Sequence, residues 1–314
     1  MTKPLDTIID RAGPVDLVDE HFGDQIRLLR DVVNYGSNLI PRCFEASRKD
    51  VPAVIILATL LKQVVVMVDG IEIQLTQAAV LSSHVTTRAL YEAQLYIHWM
   101  LKSDTESRAR HYYVWNLRRR RKWANRIIPG TQEHASFGHA LSQLSAFQSG
   151  DPSDQQHVQQ LSQFAQQDVA DIDQLLNSNA YAAVNSAFDS FWNRPFDPSW
   201  HAPAGVRSIR SMADDLGLLH EYEVFYDNLS TLSHASYFKS HVAVEGDQLT
   251  FEPIRHLESI DLILRLTLSM SFRVFRTVLS HYRAGEVENF DRKYSAEWQS
   301  AFTSITSVNY TAKT

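Results

Sequence analysis

The chain has 314 residues, 44% hydrophobic and 21% charged, with a formal net charge of −6. That is globular composition with length for a large core, and the acidic balance excludes a nucleic-acid binder of overall basic charge, leaving only a local basic patch. The single cysteine, Cys43, excludes a disulfide framework or a thiolate metal site, so a reducing cytoplasm is the expected compartment.

Only 11 Gly and 10 Pro punctuate the chain, which favours long helices. Residues 1–15 read as an irregular lead, without the apolar core behind basic residues that a secretory leader needs. Val15–Ala46 carries Leu17, Phe22, Ile26, Leu29, Val32 and Val33 at helical spacing, an amphipathic helix. Pro52 can start a second helix, apolar on most sides to about Leu75 and so expected at the centre. Lys62 and Gln63 in its interior argue against a membrane span. Ala79–Lys102 and Thr105–Ile128 follow as helices, the latter ended by Pro129-Gly130. Long helices with short joints predict an antiparallel bundle.

Residues 129–155 read as a polar connector. Helical pattern resumes over Gln156–Leu176 and Ala180–Trp192, and Asn193–Gly205 reads as a loop bearing Pro and Trp. Ser208–Leu216 is predicted as a short helix stopped by Gly217, and Leu218–Tyr237 as a longer one. The alternation around Gly246-Asp247 predicts a β-hairpin. Leu257–Tyr282 is the last apolar helix, and the tail after Gly285 is mixed. The expected architecture is all-α: one helical domain spanning 1–314, core about 15–283, with long antiparallel helices and one small hairpin before the last long helix. Its apolar helices exceed what one four-helix core needs, so a homodimer is expected. No membrane association is expected.

The helix Leu218–Tyr237 gathers Tyr222, Tyr226, Ser230, Ser233, His234 and Tyr237 within roughly 120° at helical spacing. Hydroxyls and an imidazole on one face suit a half-buried surface where each polar atom finds a hydrogen bond. On the third helix Arg88 and Glu92 are four apart and can pair. Their apolar flanks, Leu90, Tyr91, Leu95 and Tyr96, imply partial burial, so the Arg88/Glu92 pair is expected to meet Tyr226, Ser230 and His234.

The Arg-x3-Glu in RALYEAQLYIHWM and the Tyr-x2-Leu-Ser-x3-His in YDNLSTLSH, approached through SIRSMADDLGLLHEYEVF, resemble the signatures of a large bacterial family of all-helical proteins, domain of unknown function 5677. The resemblance covers roughly residues 20–283. The layout is also distantly similar to HEPN helical bundles, many of them metal-independent ribonucleases of defence and toxin systems. That resemblance implies an Arg/His pair on a late helix, and Arg276 with His281 is the candidate, although Thr follows Arg276 where that superfamily carries Asn, Asp or His.

Two readings of the polar centre stay open. In a ribonuclease, His234 and Glu92 transfer protons, Arg88 stabilises the phosphorane charge, Tyr226 orients it and Ser230 lines the site, with RNA as partner and no metal or other cofactor. Otherwise the cluster is a satisfied network in a non-enzymatic sensor, adaptor or immunity protein that binds a ligand or protein partner. Arg118, Arg119, Arg120, Arg121 and Lys122, between Trp115 and Trp123, form the basic run that could grip nucleic acid. The alternative for that run is a solvated helix end whose Arg stems cover apolar surface. No Glu-x2-His pair lies on a core helix, so no metal site is expected.

Overall fold

The computed structural model describes residues 12–45, 47, 51–143, 153–191, 198–226, 241–245, 248–251 and 253–308. The chain forms an all-α bundle that divides into two compact units, Met1–Thr105 with Ile209–Thr314, and Glu106–Ser208.

The first unit is built on α1 (Ala12–Phe44), α2 (Val51–Thr76), α3 (Val80–Lys102) and α10 (Ile260–Tyr282). α1 packs on α2, α2 on α3, and α10 against all three. The inward stripe of α1 is Val18, Phe22, Ile26, Leu29, Val32, Leu39 and Cys43, the i, i+3, i+4 recurrence of an amphipathic helix. At Gly36 that stripe narrows to a bare backbone. A Cβ built there would lie 2.6 Å from the Phe275 ring and 2.7 Å from Val65 Cγ2, so the glycine lets α1, α2 and α10 close on one point.

The ends that meet give the direction of each helix. Arg30 pairs with Glu72 and Gly36 meets Val65, so α1 and α2 are antiparallel. Thr86 donates to Gln74, and α2 and α3 are antiparallel. At the far end of α1, Arg283 Nε donates to the Arg42 carbonyl at 2.7 Å. Near the start of α10, the His256 amide donates to the Ala78 carbonyl at the head of α3. α10 therefore runs parallel to α1 and α3, a departure from the antiparallel expectation. The physical reason is the length of chain between α3 and α10, which lets the last helix return to the end of the bundle from which α3 starts.

α2 is long and apolar enough, by length and composition alone, to cross a membrane. Here Leu57, Leu60, Leu61, Val64, Val68, Ile71 and Leu75 are buried, while Ile55, Val66 and Ile73 are exposed.

α8 (Ile209–Asp215) is closed by a pair of bonds, Gly217 N–H to the Asp214 carbonyl and Leu218 N–H to the Ala213 carbonyl, with Gly217 at φ +72°. That left-handed cap turns the chain into α9 (Leu219–Glu221), which widens at once into a π turn, Tyr222–Tyr226. Residues 227–240, with Ser230, Ser233, His234 and Tyr237, lie outside the described residues. Val242–Glu245 (β1) and Gln248–Phe251 (β2) pair antiparallel, Val242 opposite Phe251 and Glu245 opposite Gln248.

Past residue 283 the chain stays in the core. α11 (Val287–Lys293), a second π turn (Tyr294–Trp298) and α12 (Gln299–Thr303) bring Phe290, Trp298 and Ile305 into burial. Trp298 Nε1 donates to Asp31 at 2.6 Å, and its ring stacks on Phe272 and meets Tyr35 edge-on.

The second unit holds α4 (Thr105–Asn125), α5 (Gln132–Ser142), α6 (Ser153–Leu176) and α7 (Ala182–Ser190). Val114, Leu117, Ile172, Leu176, Tyr181 and Phe188 form its core. α5 falls where the sequence predicts a connector. Thr131 caps it, its hydroxyl accepting from the His134 amide at 3.1 Å, which gives polar TQEH a helix start. In the loop after α7, Trp200 is buried and meets Tyr112 edge-on.

Candidate functional site

The polar centre sits where α3 faces the π turn after α9. Arg88 and Glu92 are one helical turn apart on α3, so both reach the same side. Arg88 Nη2 lies 3.1 Å from Glu92 Oε1 and donates to the Tyr226 hydroxyl at 2.7 Å. That hydroxyl in turn donates to Glu92 Oε1 at 2.7 Å. The three groups close a ring of contacts between segments 134 residues apart in sequence.

The surroundings are aromatic. The Arg88 guanidinium lies 4.8 Å from the Tyr226 ring centroid, and Tyr222 stacks on the same ring at 4.9 Å and 24°. A π turn closes from i to i+5, so four residues fall short of a full turn in it and Tyr222 comes to lie against Tyr226. Tyr91 packs on the third side of Tyr226 at 5.6 Å. Tyr226 is buried, whereas the side chains of Arg88 and Glu92 each keep 26% of their surface in solvent. Burial, reinforced by the hydrogen bond to Glu92, pushes the Tyr226 hydroxyl well above its ordinary pKa, with Arg88 opposing. At neutral pH it is a donor, not a base. Arg88 Nε is buried without a hydrogen-bond partner among the described residues.

A second ion pair continues the network. Arg273 on α10 grips Glu221 at the end of α9 through two bonds, 3.0 and 2.6 Å. Tyr91 lies close enough to both for Glu221 to raise its pKa, after burial, and for Arg273 to lower it. Half-buried His98 faces the same guanidinium. Burial first, then Arg273, holds its imidazole down to about 4. α9 and the π turn are thus bound to α10 by Glu221 and to α3 by Tyr226. Sequence reasoning misses Glu221 and Arg273 because they stand 52 residues apart, with no helical spacing to link them.

Of the expected site residues, Arg88, Glu92 and Tyr226 come together. Ser230 and His234 fall among the residues not described. Arg276 is elsewhere, bound through two bonds of 3.0 and 3.1 Å to Asp291 on α11, while His281 lies edge-on to Tyr282. Arg276 spends its fork on a carboxylate, and its described contacts do not include His281.

In the other unit, the basic run is largely met by acids of its own unit. Arg118 donates to Asn185 and Asp189 on α7 at 2.7 and 2.9 Å, and its side chain is only 17% exposed. Arg120 Nε donates to Asp168 at 2.9 Å, and Arg121 pairs with Asp173 at 2.9 Å, both on α6. Arg119 lies over the Trp115 ring. Arg118 turns inward because α7 offers two oxygens and the Phe188 ring there. Lys122 is exposed. Among the described residues, no group of three or more His, Cys, Asp or Glu is placed to hold a metal ion.

The fold and centre define a class: an α-helical bundle whose third helix carries an Arg/Glu pair closed by a tyrosine from a later π turn. Residues 54–249 match a family of unknown function, DUF5677, and the chain belongs to that family. The match spans both halves of the centre. No curated protein and no solved structure matches the chain.

Proposed function

We propose that this protein is a non-enzymatic helical bundle that binds a ligand or protein partner, with Arg88, Glu92 and Tyr226 as the network that fixes α9 and its π turn on α3. One observation carries the reading: the Tyr226 hydroxyl commits its only proton to Glu92 and accepts from Arg88, at 2.7 Å each. A hydroxyl that gives up its proton in catalysis has that proton aimed at substrate or at a base, and not shared inside a closed ring. Here each group's strongest partner is another member of the ring. The quarter of Arg88 and Glu92 that reaches solvent, beside half-buried Tyr222, is the surface left for recognition. We place the protein in the cytoplasm on its lone buried thiol, Cys43.

The same exposure favours a second reading, a metal-independent endoribonuclease of the HEPN kind acting in defence or toxin systems. In it Glu92 would take the proton of an RNA 2′-hydroxyl, whose oxygen attacks the adjacent phosphorus. Arg88 would neutralise the phosphorane, and His234 would protonate the leaving 5′-oxygen. The internal pairing of Arg118, Arg120 and Arg121 weighs against RNA gripped at that run, since a phosphate would have to displace Asp168, Asp173 and Asp189.

Cleavage of single-stranded RNA in the presence of a chelator, measured beside thermal unfolding for wild type, Glu92→Gln and Tyr226→Phe, separates the two. The binding reading expects no cleavage and a lowered Tm in both variants. Cleavage by the wild type that Glu92→Gln abolishes at unchanged Tm would establish the nuclease.

A further inference from the structure

We propose that the outer face of α2 is a self-complementary seam through which two copies of this chain pair antiparallel about a two-fold axis. The face is defined by Ile55, Thr59, Lys62, Val66, Asp69 and Ile73, all exposed, on a helix whose opposite side, with Leu57, Leu61, Val64, Val68, Ile71 and Leu75, is buried. Their spacing is 4, 3, 4, 3, 4. At 100° per residue they fall within about 80° of one another, the narrow stripe of a coiled-coil seam and not the broad face of a helix on a globular core. Ile55, Val66 and Ile73 expose 55%, 59% and 55% of their surface, high for aliphatic side chains lying in line on one helix. The Thr59 hydroxyl turns back to its own helix, donating to the Ile55 carbonyl, so it presents its methyl side.

The order of residues says what covers this face. Read from either end it begins aliphatic then polar, Ile55 and Thr59 from one end and Ile73 and Asp69 from the other, with Lys62 and Val66 between them. An antiparallel copy centred near residue 64 sets Ile55 against the partner's Ile73, Thr59 against the partner's Asp69, and Lys62 against the partner's Val66. Lys62 then lies one turn from the partner's Asp69, and the two-fold makes that pair twice. Neither Lys62 nor Asp69 has an ion-pair partner among the described residues. A parallel copy would set Lys62 on Lys62 and Asp69 on Asp69, a like-charge arrangement that the seam itself disfavours. Lipid is a poor occupant for the same reason: Lys62 and Asp69 would stand in hydrocarbon mid-stripe. Contacts of this isologous kind require one surface to complement itself, and this one does.

The test uses the full chain. Sedimentation equilibrium over a dilution series is run on wild type, Lys62→Asp, Asp69→Lys and the double swap. The seam predicts a reversible dimer, weakened about tenfold or more in each single variant, where like charges meet, and recovered in the swap. Both substituted side chains are exposed, so folding is preserved and is checked by circular dichroism. A second arm oxidises cysteine variants, since native Cys43 is buried. Ile55→Cys with Ile73→Cys in one chain cross-links to a covalent dimer, and neither single variant does, because like positions stand about 27 Å apart along antiparallel helices. A monomer at every concentration, cross-linking by either single variant, no recovery in the swap, or co-sedimentation with phosphatidylcholine vesicles would overturn the proposal.

Discussion

At the level of residues, the centre is made of groups that hold each other's charge in place. Tyr226 could not sit at 7% exposure with its hydroxyl unpartnered without a cost of about 1–3 kcal/mol. Arg88 and Glu92 supply the missing bonds, and Tyr222 and Tyr91 cover the Tyr226 ring. Two histidines near this helix face show the opposite solution to burial. His84 is held down to about 4, by burial and then by His256, and His98 to about 4, by burial and then by Arg273. Both are neutral in the fold. Below pH 6.5 the unfolded chain binds protons that the folded chain refuses, so stability is lost as pH falls from about 6.5 toward 4 and is full above that window. Thermal unfolding across this range should show the decline, and His84→Gln with His98→Gln should flatten it. An unchanged slope in the double variant would mean that carboxylates alone set the acid limb.

Elements are placed by a few close approaches. α1, α2 and α10 converge on Gly36, where Phe275 and Val65 occupy the space of a side chain. Gly36→Ala gains helix propensity but overpacks this point, and the net change should be a loss of about 1–3 kcal/mol in denaturant unfolding. A gain would show that the helices can part there at no cost. The long helices were legible because α1 to α4 carry periodic apolar residues bounded by Pro52 and Pro129-Gly130. The pairing of Arg88 and Glu92 with Tyr226 was legible too, from helical spacing on both elements and from partial burial implied by their apolar flanks. Three features were not. The π turn at Tyr222–Tyr226 leaves no signature in residue type, because it is a choice of hydrogen bond from i to i+5. The Glu221–Arg273 pair joins elements that no local spacing connects. The parallel course of α10 depends on where the intervening chain returns it, which periodicity does not encode.

Over the whole molecule, the first boundary between the units falls after Thr105, at the start of α4. No linker composition marks it, so sequence alone draws no boundary there. The tail is similarly deceptive. Phe290, Trp298 and Ile305 stand far apart in a polar stretch, yet all are buried at 3% or less against the first unit's helices. Trp298→Ala should cost about 3–5 kcal/mol by opening a cavity beside Tyr35, Phe272 and Phe290, read as a drop in Tm. A drop no larger than that of an exposed substitution would detach the tail from the core. Outward, the first unit exposes part of Arg88 and Glu92 and, on α2, Ile55, Val66 and Ile73.

The central claim is that the Arg88–Glu92–Tyr226 ring holds the fold and performs no chemistry. A double-mutant cycle of Glu92→Gln and Tyr226→Phe in denaturant unfolding, with RNA cleavage assayed on the same samples, tests it most directly. The account predicts a coupling of about 1 kcal/mol between the two positions, and no cleavage in any of the four proteins. Additive stability losses, together with metal-independent cleavage that vanishes in Glu92→Gln, would contradict it.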